Sequence, residues 1–136
     1  MIEEVQAEMV QYLKAALPGV QVELLPDQPL ASKLTGPKGA VFINYVGGEY
    51  LSPEEFGAAG DPADYPLSTT LNIEIIVGAQ GLHSAGGATG LLEVVQVLLN
   101  GWSPAGFLPM RLLTNRQFGC ENNTWLYQAH FTVTQN

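Results

Sequence analysis

The stretch GLHSAGGATGLLEVVQVLLNG, from Gly81 to Gly101, sets a glycine-rich loop directly before an apolar helical pattern. Such a junction can hold phosphate when backbone amides and a helix N-terminus point at the anion. A nucleoside triphosphate also needs a lysine and a hydroxyl directly after the last glycine. Here Gly90 is followed by Leu91 and Leu92, and no lysine occurs after Lys38. The dinucleotide pattern fails too, because Gly86, Gly87 and Gly90 give GGxxG with no acid about twenty positions on to hold a ribose. The junction therefore reads as a turn into a helix, which Ser84 or Thr89 can cap. In that helix Leu91, Val94, Val95 and Leu98 share one face, and Leu92 and Leu99 widen it. Only Glu93, Gln96 and Asn100 form a polar stripe, so the pattern predicts a helix nearly surrounded by protein.

Nucleophilic catalysis would need Cys120 to meet His83 or His130 in space. The local sequence FGCENN reads as a turn, whereas a reactive thiol is favoured at a helix N-terminus. His130 alternates with Phe131 and so points away from the row containing Trp125, which makes it a surface or interface residue. A metal site would have to gather His83, His130 and acids such as Glu74 or Glu121, yet the chain has no i, i+4 histidine pair and no EF-hand spacing. These residues predict no catalytic constellation, no metal site and no cofactor.

The elements that carry these residues follow from periodicity. Ile2, Val5, Met9, Leu13 and Ala16 recur at helical spacing and predict a helix over residues 2–17, stopped by Pro18 and Gly19. VQVELL alternates as a short strand, and AVFINYV reads as a strand closed by Gly47 and Gly48. From Gly47 to Pro66 the chain shows no period, and a loop longer than about fifteen residues is uncommon unless it has work to do. That segment is a candidate contact arm, with Glu49, Tyr50, Phe56, Asp61, Asp64 and Tyr65 as candidate subunit or partner contacts. Glu74 joins them, as an acid between isoleucines that is either an exposed strand residue or part of a sheet surface meeting a neighbour.

TLNIEIIV places Leu71, Ile73, Ile75 and Val77 on one face, and WLYQAHFTV does the same for Trp125, Tyr127, Ala129, Phe131 and Val133. LPMRLLTNRQF supplies a further strand. Strands grouped in pairs predict an α+β fold with a mainly antiparallel sheet covered by two helices and one long acidic loop. The 136 residues suit a single domain over 1–136.

Composition excludes several classes. Thirteen acids against five cations give a net charge of −8, which opposes general attraction to nucleic acid, and the cations form no stripe. One cysteine permits no internal disulfide and suits synthesis in a reducing compartment. MIEEVQAEMV lacks the basic flank and apolar run of a signal peptide, and no stretch reaches about twenty apolar residues, so the expectation is neither export nor membrane spanning. With 13% charged residues the surface is unusually neutral, one route to subunit contact.

The ordered segments AVFINYVGG, LNIEIIVGAQG, GGATGLLEVVQVLLNGW, PMRLLTNRQF and LYQAHFTV, behind the N-terminal helix, resemble the tail-terminator (tail completion) family of Mu-like contractile-tailed phages and prophages. The resemblance covers almost the whole chain, and Gly86 to Trp102 is its most specific part. It implies a non-enzymatic virion protein, made in the host cytoplasm, that caps the head-proximal end of the tail tube as a hexameric ring. Its implied partners are further copies of itself, the tail tube protein, the sheath protein and a neck or head-completion protein. The resemblance carries over no catalytic residue. Two other readings stand beside it: a neck or head-to-tail joining protein, and a small cytosolic hydrolase or ligand-binding domain using Cys120 and His130. If the ring lumen passes DNA, a negative lining drawn from Glu49, Glu54, Glu55, Asp61, Asp64 or Glu74 would repel the phosphates.

Overall fold

The first helix, α1 (Ile2–Ala16), buries Val5, Met9 and Leu13 along one side. Glu3 and Glu4 in its first turn and Lys14 in its last suit the helix dipole. Pro18 follows, and Gly19 turns the chain with a φ of 86°. The remaining elements are β1 (Gln21–Leu24), β2 (Ala40–Tyr50), β3 (Thr69–Gln80), α2 (Ala88–Leu99), β4 (Arg111–Glu121) and β5 (Thr124–Thr134). The computed structural model describes residues 1–26, 38–50, 69–83, 87–121 and 123–135.

The five strands form one sheet in the order β1-β2-β3-β5-β4. Only β1 and β2 run parallel; every other neighbouring pair is antiparallel. Both helices cover the same face, where Val5, Met9 and Leu13 of α1 and Leu91, Leu92, Val95 and Leu99 of α2 join the inward residues of the sheet in one core. This is the α+β architecture that the paired strands predict. The two alternating rows meet as expected, with Ile73 opposite Phe131, Ile75 opposite Ala129 and Val77 opposite Tyr127.

The helices are tied together at one end. Tyr12 stacks on Trp102 with ring centroids 4.6 Å apart and planes 6° from parallel, and its hydroxyl donates to the Leu98 carbonyl at 2.8 Å. Gly101, with a φ of 92°, and Trp102 exchange backbone hydrogen bonds with Met110, which fixes the path from α2 into β4.

Four local expectations need correction. Gly47 and Gly48 do not close β2; the strand continues through Glu49 to Tyr50, pairing with Thr69 to Asn72 after a bulge between Tyr45 and Gly47. A partner strand supplies hydrogen bonds that outweigh glycine's local preference for a turn. The rest of the supposed arm, residues 51–66, lies outside the described residues. FGCENN is likewise not one turn: β4 runs on to Glu121, and the reversal occurs before Thr124, where Asn123 takes a φ of 64°, a left-handed geometry asparagine tolerates.

Gly87 sits at the N-cap of α2 with no side-chain capping bond. Thr89 is inside the helix, 3.4 Å from the Tyr127 hydroxyl, and Ser84 lies outside the described residues. Finally, α2 is not surrounded. Val94 is 46% and Val97 77% exposed, because the sheet covers only one side of the helix and α1 reaches it only near Leu98 and Trp102.

Gly39 opens β2 with a φ of 95°, and a Cβ there would lie 2.8 Å from the Gly78 carbonyl oxygen and 2.9 Å from a Leu91 methyl. Both the strained φ and the backbone clash oppose any side chain. Gly39→Ala should therefore cost about 1–3 kcal/mol, read as a lower urea midpoint with the slope retained; an unchanged midpoint would contradict the packing of β2 against α2. Phe131 is fully buried opposite Ile73, and Phe131→Ala should cost about 3–5 kcal/mol in the same measurement.

Candidate functional site

The helices leave one sheet face uncovered by themselves, and that face carries the polar side chains of the strands. Its residues follow from register. Asn44 of β2, Glu74 of β3, His130 of β5 and Thr114 of β4 form one row across the sheet. The adjacent row runs Glu23, Phe42, Ile76, Gln128 and Arg116, from one sheet edge to the other. Phe42 and Ile76 belong to a second, small apolar cluster with Ala40 and Leu126, against which Leu25 packs.

A hydrogen-bonded chain links the two rows. Arg116 Nε donates to Gln128 Oε1 at 3.0 Å, and Gln128 Nε2 in turn donates to Glu74 Oε1. Glu74 is thus a half-buried acid held by a neighbouring amide across β5. Further along the same face, Thr70 and Thr134 hydroxyls lie 3.1 Å apart. Glu49, exposed at the far end of β2 and paired with Thr70, shares this face. Of the remaining proposed contacts, Tyr50 ends β2, while Phe56, Asp61, Asp64 and Tyr65 lie outside the described residues.

The charges on this face are mixed. By register Glu23, Glu49 and Glu74 lie on it together with Arg116 and with Arg111, which pairs with Thr132. The chain's two arginines thus both sit on β4, at one edge, where Glu121 ends the strand, and Glu74, Glu49 and Glu23 follow on β3, β2 and β1. Sequence reasoning named Glu74 but not Gln128 or Arg116. Alternation alone puts Gln128 and His130 on one side of β5; which strands flank them is a long-range pairing that no local pattern encodes.

Of the residues weighed for catalysis, Cys120 and His130 do not come together. Cys120 is exposed and pairs with Trp125, whereas His130 pairs with Thr114 on the opposite face. Those two positions are five residues apart on β5, about 17 Å along the strand. His83 is exposed beyond the end of β3. Among the described residues no three of His, Cys, Asp and Glu gather as metal ligands. No helix among them is long and apolar enough to cross a membrane. An open groove between α1 and β1 is lined by Glu3, Gln6, Gln11, Lys14 and Glu23 beside Val10, Val22 and Leu24.

The outer face is thus a sheet surface that mixes charged, amide and hydroxyl side chains with a small apolar cluster. Among curated proteins, none matches the chain. Among solved structures, a chain of the "Virion of native gene transfer agent (GTA) particle" has a similar fold, with a TM-score of 0.61 at 16% identity. The likeness covers 98% of this chain and 96% of that one, so the similarity in fold runs along nearly all of both chains. The Gp37 protein family matches residues 9–136, from the middle of α1 to the last residue, and the chain belongs to that family.

Proposed function

We propose that this protein is a structural component of a phage-type virion, a tail terminator that caps the head-proximal end of the tail tube as a hexameric ring. The observation that carries this reading is the end-to-end fold likeness to a chain of the gene transfer agent virion, in a domain whose catalytic candidates are dispersed. The sequence resemblance to tail terminators of Mu-like phages supplies the position in the particle. The ring stops addition of further tube subunits, meets the last layer of sheath, and presents its far side to a neck or head-completion protein. In this reading the protein is not an enzyme and works in the virion, at the head-proximal end of the tail.

The physical requirements of such a cap are modest and compatible with the fold. A closed ring needs two different patches on each subunit that are complementary and related by a rotation that closes. A sheet with two edges at opposite ends of the domain offers such a pair. The exposed apolar stripe of α2, Val94 and Val97, adds contact area of the sort interfaces use.

Added to polymerising tail tube protein, the chain should shorten the tubes in proportion to its concentration, while Cys120→Ala should shorten them equally well. Tube lengths measured by electron microscopy check this. Unchanged lengths, together with capture of a neck protein and not of tube protein, would favour the head-to-tail joining reading. Loss of function on alkylating or replacing Cys120 would favour the small-enzyme reading.

A further inference from the structure

The two edges of the sheet are unlike in charge and matched in register. Following the pairings across the sheet, β1 and β4 run in opposite directions. A copy set beside this one in the same orientation would therefore present β4 to β1 as an antiparallel neighbour, the pairing that needs no further rearrangement of either strand. One row of the sheet begins at Glu23 on β1 and ends at Arg116 on β4, with both side chains on the face away from the helices. If the row continues into the next copy, its acidic end meets the basic end of its neighbour.

We propose that a second copy of this chain lays its β4 edge along β1, so that Arg116 of one copy pairs with Glu23 of the next and the sheet runs on across the junction. The inference rests on the ring reading above and names the surface that closes the ring. Four observations support it. Neither Glu23 nor Arg116 makes an ion pair among the described residues. Arg116 spends only its Nε, on Gln128, which steers the guanidinium and leaves its terminal amino groups for a carboxylate. Each edge carries an exposed leucine, Leu24 at 47% on β1 and Leu113 at 55% on β4. And β4 is an eleven-residue strand at a sheet edge, a length that natural sheets shield or pair.

The contact is heterologous, since the patch that docks is not the patch that receives, and it repeats around a ring without leaving a free edge. Because β1 has only four residues, backbone pairing there is short. The ion pair then selects this register over a slipped one.

The test uses the full chain with Cys120→Ala, so that only introduced thiols can bond. Glu23→Cys and Arg116→Cys together should give, on mild oxidation, a ladder of disulfide-linked dimers, trimers and higher species up to the ring on a non-reducing gel. Either cysteine alone should stay monomeric on that gel. A dimer from Arg116→Cys alone would mean that two β4 edges face each other and would overturn the proposal. Absence of the ladder where light scattering still finds the unlinked parent as a ring would overturn this surface but leave the ring reading intact. A parent that forms no oligomer either alone or on tail tubes would overturn both. Charge exchange gives a second measure: Arg116→Glu or Glu23→Arg should weaken association at least about tenfold, and the two together should restore it. Failure of the pair to restore it, with each variant folded by circular dichroism, would count against the Glu23–Arg116 contact.

Discussion

β3 is paired along nearly all its length on both sides, to β2 through Ala40–Tyr50 and to β5 through Thr124–Thr134, and its residues Leu71, Ile73, Ile75 and Val77 are lost to solvent against the helices. Every other feature depends on that double pairing. It sets the register by which Ile73 meets Phe131, and a slip of one residue would turn the whole apolar row to the outer face. It also decides which polar residues lie side by side on that outer face, because Glu74 reaches Gln128 only in this register. α1 and α2 then close over the inner face, joined by the stack of Tyr12 on Trp102.

The parts of the fold legible in the sequence are those fixed by local periodicity. The 3.6-residue recurrence of Val5, Met9 and Leu13 defines α1, and alternation in β3 and β5 gives their inward faces, although β3 runs past Val77 to Gln80. What was not legible depends on a partner distant in sequence. Gly47 and Gly48 look like a stop, yet β3 offers them a ladder and the strand passes through. Cys120 looks like part of a turn, yet β5 holds it opposite Trp125. Val94 reads as part of the covered apolar face with Leu91 and Val95, yet it is exposed, and which side of a helix is covered is set by tertiary packing that the helix alone does not encode.

The same division applies to the site. The sequence points to Glu74 as an unusual acid and fails the nucleoside triphosphate and dinucleotide patterns on the residues themselves. The placement of both arginines on one edge strand, with Glu23 at the other end of Arg116's row, exists only once five strands are in order. A protein that works by contact distributes its function over such edges, and no compact motif records it. The chain belongs to the Gp37 protein family, and its fold is similar to that of a chain in a gene transfer agent virion.

The central claim is that this domain closes into a ring at one end of a tail tube. Class averages of tube ends, imaged by electron cryomicroscopy after incubation with the protein, test it most directly. The account predicts a ring of extra density with sixfold symmetry at one end of each tube and bare tube elsewhere. Bare ends, or protein decorating the sides of the tube, would contradict it.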